Sequence, residues 1–184
     1  MLTYEINDDL HLRMFALNDA EEFYNLTIES KPFLKEWLGL LDHIHTIEDT
    51  AKNLQSRFNE LSENNGYPKS FAVIYKGKIA GTIGFNTLDK SNRVGTIGYW
   101  IGEQYKGQGI MSKSFEAIMD YGFNTLNLNR IEVRTAVKNI KSRALPERFS
   151  FHHEGTIRDA EWLYDCYVDH AVYGLLKDEW KNTK

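Results

Sequence analysis

A glycine-rich segment, GYWIGEQYKGQGIMSKS (residues 98–114), constrains the fold of this chain more strongly than any other. It holds four of the 13 glycines and joins an apolar, strand-like run to a run with helical spacing. A helix amino terminus presents unpaired N–H groups and a partial positive charge, and glycines let an anion approach that backbone closely. The segment therefore predicts an anion site at a strand-to-helix turn.

Two common phosphate-binding motifs do not fit this segment. Ser112 stands where a dinucleotide-binding fingerprint has its third glycine, and no second βαβ signal follows. P-loop spacing from Gly102 to Gly107 is followed by Gln108-Gly109 instead of the Lys-Ser/Thr that reaches phosphate and magnesium. Dinucleotide binding and P-loop chemistry are disfavoured, and a glycine turn without a ligand stays open as the alternative.

The chain has the length and composition of one globular domain spanning residues 1–184. Hydrophobic residues make up 42%, there is no internal repeat, and the three prolines are scattered rather than gathered in a linker. No apolar run reaches the roughly 20 residues that a membrane span needs. We expect no membrane association.

The net charge and the cysteine content indicate which binding partners and which cellular compartment to expect. A net charge of −4 gives no general attraction to nucleic acid, so we expect any phosphate binding to be local. The single cysteine, Cys166, cannot form an internal disulfide, which favours the cytoplasm. His152 and His153 are adjacent on a predicted strand and point to opposite faces, so we expect no metal site there.

Periodicity and turn residues predict a mixed α/β fold rather than a doubly wound one. Thr46 begins a capping box, Lys76-Gly77 has the length of a hairpin turn, and Asn18 is a predicted helix cap. The predicted strands are 10–15, 70–75, 78–87, 94–101, 130–137, 154–163 and 167–175, and the predicted helices are 18–30, 46–63, 107–125 and 139–149.

Gln104-Tyr105-Lys106-Gly107-Gln108-Gly109 has the form Q-x-x-G-x-G and resembles the coenzyme A pyrophosphate loop of the GNAT superfamily of N-acetyltransferases. Further motifs, in order, resemble the Rim-type branch, which contains the ribosomal-protein-serine N-acetyltransferases. They are Gly98-Tyr99-Trp100-Ile101, Asn139-Ile140-Lys141-Ser142-Arg143-Ala144, Phe151-x-x-Glu154-Gly155 and Tyr173-Gly174-Leu175-Leu176. One departure is Phe149-Ser150-Phe151, where the branch more usually has glycine in the middle.

The resemblance implies the GNAT fold, whose twisted sheet is mostly antiparallel, with two parallel strands, here 94–101 and 130–137, splayed at the cofactor cleft. It also implies acetyl-CoA as co-substrate, with Lys106 or Lys113 adding charge near the pyrophosphate. The implied cofactor-binding residues are Trp100, Ile101, Gln104, Lys106, Gly107, Gln108, Gly109, Ile110, Asn139 and Ser142.

The resemblance also implies two catalytic residues and no metal. Ser142 matches the position beside the coenzyme sulfur and is the candidate proton donor, although a helix-surface hydroxyl is the alternative. Glu161 matches the acidic position facing the acceptor amine and is the candidate base, with Tyr164 and Tyr105 as weaker candidates. Packing of Trp162 against Glu161 would raise the carboxyl pKa by desolvation. Asn139 can bind the pantetheine arm, cap a helix, or do both.

The predicted activity is transfer of an acetyl group to a primary amine by direct attack in a ternary complex. The acceptor most in keeping with the resemblance is a protein α-amino group, as in a ribosomal protein. Polyamines and aminoglycosides stay open as acceptors, and a non-catalytic acyl-coenzyme A sensor is the alternative from another class. The resemblance further implies a homodimer.

Overall fold

The computed structural model describes residues 3–181, which form eight β-strands and five α-helices. The strands are β1 (Thr3–Asn7), β2 (Leu10–Arg13), β3 (Ser70–Tyr75), β4 (Lys78–Asp89), β5 (Val94–Ile101), β6 (Arg130–Ala136), β7 (His152–Leu163) and β8 (Cys166–Leu176). The helices are α1 (Ala20–Leu34), α2 (Ile47–Glu63), α3 (Ile110–Asp120), α4 (Ile140–Arg148) and α5 (Lys177–Lys181). None of the helices in this part of the chain has both the length and the hydropathy for crossing a bilayer.

The strands follow the order β1-β2-β3-β4-β5-β6-β8-β7 in one eight-stranded sheet. β5 and β6 are parallel, whereas β1 with β2, β2 with β3, β3 with β4, β6 with β8 and β7 with β8 run antiparallel. The mixed α/β class and the mostly antiparallel sheet are therefore confirmed.

The described residues divide into two compact units. The amino-terminal unit holds residues 3–84 and 99–118, and the carboxy-terminal unit holds 85–98 and 119–181. Because strands β4 and β5 and helix α3 each contribute residues to both units, the division does not follow a linker. A single domain over residues 1–184 stays a prediction.

Two local signals shape the amino-terminal unit as the sequence predicts. The amide of Asp49 donates to the Thr46 hydroxyl at 3.1 Å and the Asp49 carboxylate accepts from the Thr46 amide at 3.0 Å, which completes the capping box of α2. Lys76 and Gly77 have φ values of 49° and 75°, the positive values that a two-residue hairpin turn requires. This turn sets the β3–β4 register.

The core of the amino-terminal unit packs α1 and α2 against the sheet. Phe23, Leu54 and Ile74 are almost fully buried in it. The Trp100 ring stacks on Phe23 with 5.4 Å between ring centroids, so the end of β5 is attached to α1.

In the carboxy-terminal unit, β5 and β6 pair over only four residues each. The register runs from Val94 opposite Arg130 to Ile97 opposite Val133, while β6 continues its pairing with β8 as far as Ala136 opposite His170. In the described residues, the rest of β5 has no pairing with β6. This short parallel pairing agrees with the splayed strands that the resemblance implies.

The predicted start of α1 is wrong, and β1 is absent from the sequence prediction. Asn18 does not cap the helix. The neighbouring Asp19 accepts a hydrogen bond from the Ala16 amide at 2.6 Å and forms a two-contact ion pair with Arg13 at 2.6 and 2.9 Å. A tertiary ion pair to β2 therefore decides how the chain enters α1, and local capping preference does not.

Helix α4 ends in a Schellman motif with serine at the left-handed position. The Ser150 amide donates to the Glu147 carbonyl at 3.2 Å, and the Phe151 amide donates to the Pro146 carbonyl at 3.0 Å. Ser150 has a φ of 59°, which glycine adopts without the steric penalty of a Cβ. The missing glycine changes the energy of this turn and not its conformation.

We predict that Ser150→Gly stabilises the protein by about 0.5–1 kcal/mol, because relief of the left-handed strain exceeds the added entropy of the unfolded chain. The melting temperature should rise by about 1–4 °C in differential scanning calorimetry. Ser150→Ala keeps the Cβ and serves as the control without a gain. An unchanged melting temperature for Ser150→Gly would contradict the assignment of strain.

Candidate functional site

The glycine turn connects β5 to α3 through two residues with left-handed backbone. After a turn of 3-10 helix at Glu103–Tyr105, Gly107 and Gly109 have φ values of 75° and 72°, and α3 begins at Ile110. A Cβ built on either glycine would meet no protein atom within 4 Å. The two glycines are therefore required by the backbone conformation, and the space in front of them is open.

The backbone of this turn offers several hydrogen-bond donors. Throughout residues 3–181, no acceptor is found for the N–H groups of Gly107, Gln108 or Gly109, and residues 106–109 are exposed. The first turn of α3 adds the positive end of the helix dipole. This set of donors fits a pyrophosphate chemically, because each donor binds oxygen without requiring a side chain.

The two lysines near the turn, Lys106 and Lys113, differ in how far their charges are compensated. Lys106 donates to Glu103 Oε1 at 3.1 Å, and its ammonium nitrogen lies 3.9 Å from the centroid of the Phe33 ring. Its charge is already partly compensated by the carboxylate and the aromatic face. Lys113 lies exposed on the first turn of α3. Lys113 is therefore the better candidate for a second cationic contact to an anion.

Gln104 and the end of β5 contribute to the turn through their backbone. The Gln108 side-chain amide donates to the Gln104 carbonyl at 3.0 Å and closes the turn. Trp100 and Ile101 are half-buried, and the Trp100 ring is engaged with Phe23. The proposed contacts of Trp100 and Ile101 with a ligand would have to come from their main-chain groups.

Asn139 and Ser142 are brought together at the start of α4. The Asn139 side-chain oxygen accepts from the Ser142 amide at 3.1 Å, so the predicted N-cap is present. Arg143 fixes this turn further by donating to the Val137 carbonyl at 3.0 Å and to the Tyr173 hydroxyl at 2.8 Å. The backbone that carries Ser142 is thus held to β8 and to Val137, the residue that follows β6.

Glu161 is paired with a histidine that the sequence does not single out. Glu161 Oε2 accepts from His170 Nε2 at 2.9 Å, and the side chains are 40% and 19% exposed. A bulge in β7 places Ile157 opposite His170 and Glu161 opposite Val168, so the two side chains meet diagonally across the strands. The candidate base is therefore oriented by an imidazole.

The aromatic residue next to the candidate base has a partner on the neighbouring strand. Trp162 is 57% exposed, and it packs edge-on against Tyr167 with ring centroids 4.9 Å apart. A pKa of Glu161 raised by packing against Trp162 stays a prediction. Burial raises the pKa of Tyr105, which keeps its proton at neutral pH and is a poor base.

The predicted site residues belong to different units. Trp100, Ile101 and the glycine turn through Ile110 are in the amino-terminal unit, and Asn139, Ser142 and Glu161 are in the carboxy-terminal unit. Sequence reasoning missed His170 as a partner of Glu161 and Arg143 as an anchor of α4. Arg143 follows Ser142 within the quoted motif, whereas His170 has no local signal because the bulge creates its contact.

The adjacent histidines have separate partners. His152 Nε2 lies 3.2 Å from Glu179, and the His153 ring packs on Tyr173 at 5.1 Å between centroids. Among residues 3–181, no group of three or more histidine, cysteine, aspartate or glutamate side chains is placed to hold a metal ion.

Known proteins similar to this chain are acetyltransferases. A family model described as the acetyltransferase (GNAT) domain matches residues 9–152. YdaF of Bacillus subtilis (strain 168), provisionally named a ribosomal N-acetyltransferase, is 32% identical over 185 residues, with 100% of both proteins covered. The ribosomal-protein-serine acetyltransferase of Escherichia coli (strain K12) is 30% identical over 176 residues, covering 96% of this chain and 97% of the relative.

A solved structure agrees with these sequence matches. RimL, a ribosomal L7/L12 α-N-protein acetyltransferase in complex with coenzyme A, superposes with a TM-score of 0.90 at 28% identity. The match covers 97% of this chain and 99% of the RimL chain.

Proposed function

The chain belongs to the GNAT acetyltransferase family, and we propose that its acceptor is the α-amino group of a protein amino terminus, of the ribosomal-protein-serine type. The enzyme is an acetyl-CoA-dependent N-acetyltransferase. The observation that carries the proposed acceptor is full-length similarity to proteins named for ribosomal acetylation, at 30% and 32% identity.

Acetyl-CoA, when bound, supplies the acetyl thioester. The backbone N–H groups of Gly107, Gln108 and Gly109 are available as donors for its pyrophosphate, and Lys113, which is exposed, is the proposed source of an added charge. A main-chain N–H at Trp100 or Ile101 is proposed to bind the acetyl oxygen, where negative charge develops. One such donor is worth about 3 kcal/mol in the barrier.

The proton transfers are assigned to two side chains. Ser142 Oγ is proposed to donate a proton to the departing thiolate and to take one from water in its place, from a backbone fixed by Asn139 and Arg143. Glu161 is proposed to accept the proton of the attacking amine, and His170 is its positioning residue. Because the Glu161 carboxylate is 40% exposed, its proton can pass on to water.

The acceptor is tested by mixing the purified enzyme with acetyl-CoA and a panel of amines, and by following thiol release. The panel contains ribosomal-protein amino-terminal peptides, their amino-terminally acetylated forms, polyamines and aminoglycosides. Release with the free peptides alone supports the proposal, and release with only polyamines or aminoglycosides replaces it by the small-molecule reading. Tight coenzyme binding without any release would favour an acyl-coenzyme A sensor.

Gly107→Ala should raise the KM for acetyl-CoA by about tenfold or more, because its Cβ enters the open space before the unpaired amides. Gly77 has the same φ of 75°, and a Cβ there also meets nothing within 4 Å, so Gly77→Ala imposes the same backbone strain elsewhere. Both variants should lose similar stability in urea unfolding. Equal KM values for the two variants would contradict a cofactor role for the turn.

Ser142→Ala should lower kcat by about tenfold to a hundredfold with little change in coenzyme affinity, because a positioned proton donor is lost. The amide that bonds to Asn139 is retained in this variant. Ser62→Ala removes an exposed helix hydroxyl on α2 and is the control. A large loss of coenzyme binding would instead assign Ser142 a binding contact.

Glu161→Gln should remove the acidic limb of the pH–kcat/KM profile, because glutamine cannot accept the amine proton. Steady-state rates with the preferred amine between pH 5 and 9 measure this. Asp159→Asn makes the same charge change two residues away on β7 and should leave the profile unaltered. Persistence of the acidic limb in Glu161→Gln would show that another group is the base.

We further propose that the enzyme works as a homodimer in the cytoplasm. The support is that β7 lies at the end of the strand order and carries exposed Trp162, with Tyr167 exposed on the adjacent β8. An unpaired edge with exposed aromatic residues is suited to pairing with a second copy. Light scattering that gives a monomer mass would remove this proposal.

A further inference from the structure

Helix α2 carries an arginine whose guanidinium is held by neutral groups. Arg57 Nε donates to Asn53 Oδ1 at 3.0 Å, and Nη1 donates to Ser70 Oγ at 3.0 Å and to Thr82 Oγ1 at 3.3 Å. The guanidinium carbon lies 4.8 Å from the centroid of the Phe15 ring. These contacts fix the plane of the guanidinium without neutralising its charge.

The charge of Arg57 lacks a direct counterion. In the part of the chain that the structure describes, no carboxylate oxygen is within 4.0 Å of it, whereas Arg13 and Arg130 each contact a carboxylate. Burial lowers the pKa of Arg57 to about 10, opposed by Glu60, so the group is still protonated at neutral pH. A bound anion would offset the unfavourable burial of this cation.

Arg57 faces a concavity with open donors on one side and an apolar wall on the other. Its Nη2 has no acceptor within residues 3–181, and neither has the hydroxyl proton of Ser70. The concavity is shallow and opens to solvent, and the space in it that the centre of a water molecule can occupy is about 10 Å³. We call it the Arg57 pocket, and its lining residues are Met14, Phe15, Arg57, Phe58, Leu61, Pro68, Lys69 and Ser70.

We propose that the Arg57 pocket binds the carboxylate group of a monocarboxylate at its open side, where the ligand's short apolar substituent lies over the apolar lining. Two N–H bonds of Nη2 and the Ser70 hydroxyl can donate to the two carboxylate oxygens. Lys69 Nζ lies 3.4 Å from Glu60 Oε2, so these two charges largely neutralise each other. Arg57 is then the uncompensated positive charge beside the pocket, which suits a ligand with one negative charge. Arg57 alone would leave one negative charge of a doubly charged phosphate uncompensated. This site is separate from the glycine turn and does not depend on the proposed acceptor.

The same carboxylate chemistry can come from a free small acid or from an acidic side chain of a peptide. Isothermal titration calorimetry at constant ionic strength, with sodium isobutyrate, an end-blocked peptide containing one glutamate, and inorganic phosphate, separates these sources. We expect isobutyrate or the peptide to bind, with Ser70 and Asn53 amide resonances shifting in NMR spectra. Binding of neither carboxylate, or tighter binding of phosphate, would overturn the proposal.

Substitutions of the residues that line the pocket test whether the carboxylate binds there. Arg57→Lys should weaken carboxylate binding by about tenfold, because lysine cannot present the fixed fork of donors. Ser70→Ala should weaken carboxylate binding by about fivefold. It replaces Arg57→Lys as the test if circular dichroism shows that Arg57→Lys does not fold. Arg134→Lys changes an exposed arginine that is paired with Glu132 and is the matched control. Unchanged affinity in Ser70→Ala and in folded Arg57→Lys would also overturn the proposal.

Discussion

The position of the glycine turn depends on the parallel pairing of β5 with β6. Parallel neighbours cannot be joined by a tight hairpin, so the chain needs a crossover, and here residues 102–129 provide it. The glycine turn is the first part of this crossover and α3 is the second. Because the pairing covers only Val94–Ile97 with 130–133, the last residues of β5 lead into the turn without being committed to β6.

The residues from Asn139 to Arg143 hold the start of α4 in place. Asn139 caps α4, and Arg143 donates to the carbonyl of Val137, just after β6, and to Tyr173 on β8. Burial raises the pKa of Tyr173, whose hydroxyl donates to Glu147 at 2.7 Å and accepts from Arg143. The tyrosine therefore stays protonated and the direction of each hydrogen bond is fixed. Ser142, the proposed catalytic serine, therefore stands on a backbone that is held in place, as proton transfer to a defined atom requires.

Cations in this protein are compensated in two different ways. Arg130 contacts both Glu132 and Glu154, and these hydrogen bonds raise the pKa of Arg130 and lower that of Glu154. Arg57 is instead held by hydroxyls, an amide and aromatic faces. With Arg134 also bonded to Glu132, the first arrangement balances two arginines against two glutamates, whereas the second leaves donors and charge for the proposed ligand. This contrast separates a structural ion pair from a binding site more clearly than exposure does.

Features that depend on neighbouring residues could be predicted from the sequence: the capping box at Thr46, the hairpin turn at Lys76-Gly77, the Asn139 cap, and the glycine turn before α3. These follow from local backbone preferences, which a few residues specify. The Arg13–Asp19 entry to α1, the Glu161–His170 pair and the uncompensated Arg57 could be found only in the folded chain. Each of these depends on side chains from separate strands or helices, and a bulge or a strand order that local preferences do not encode brings them together.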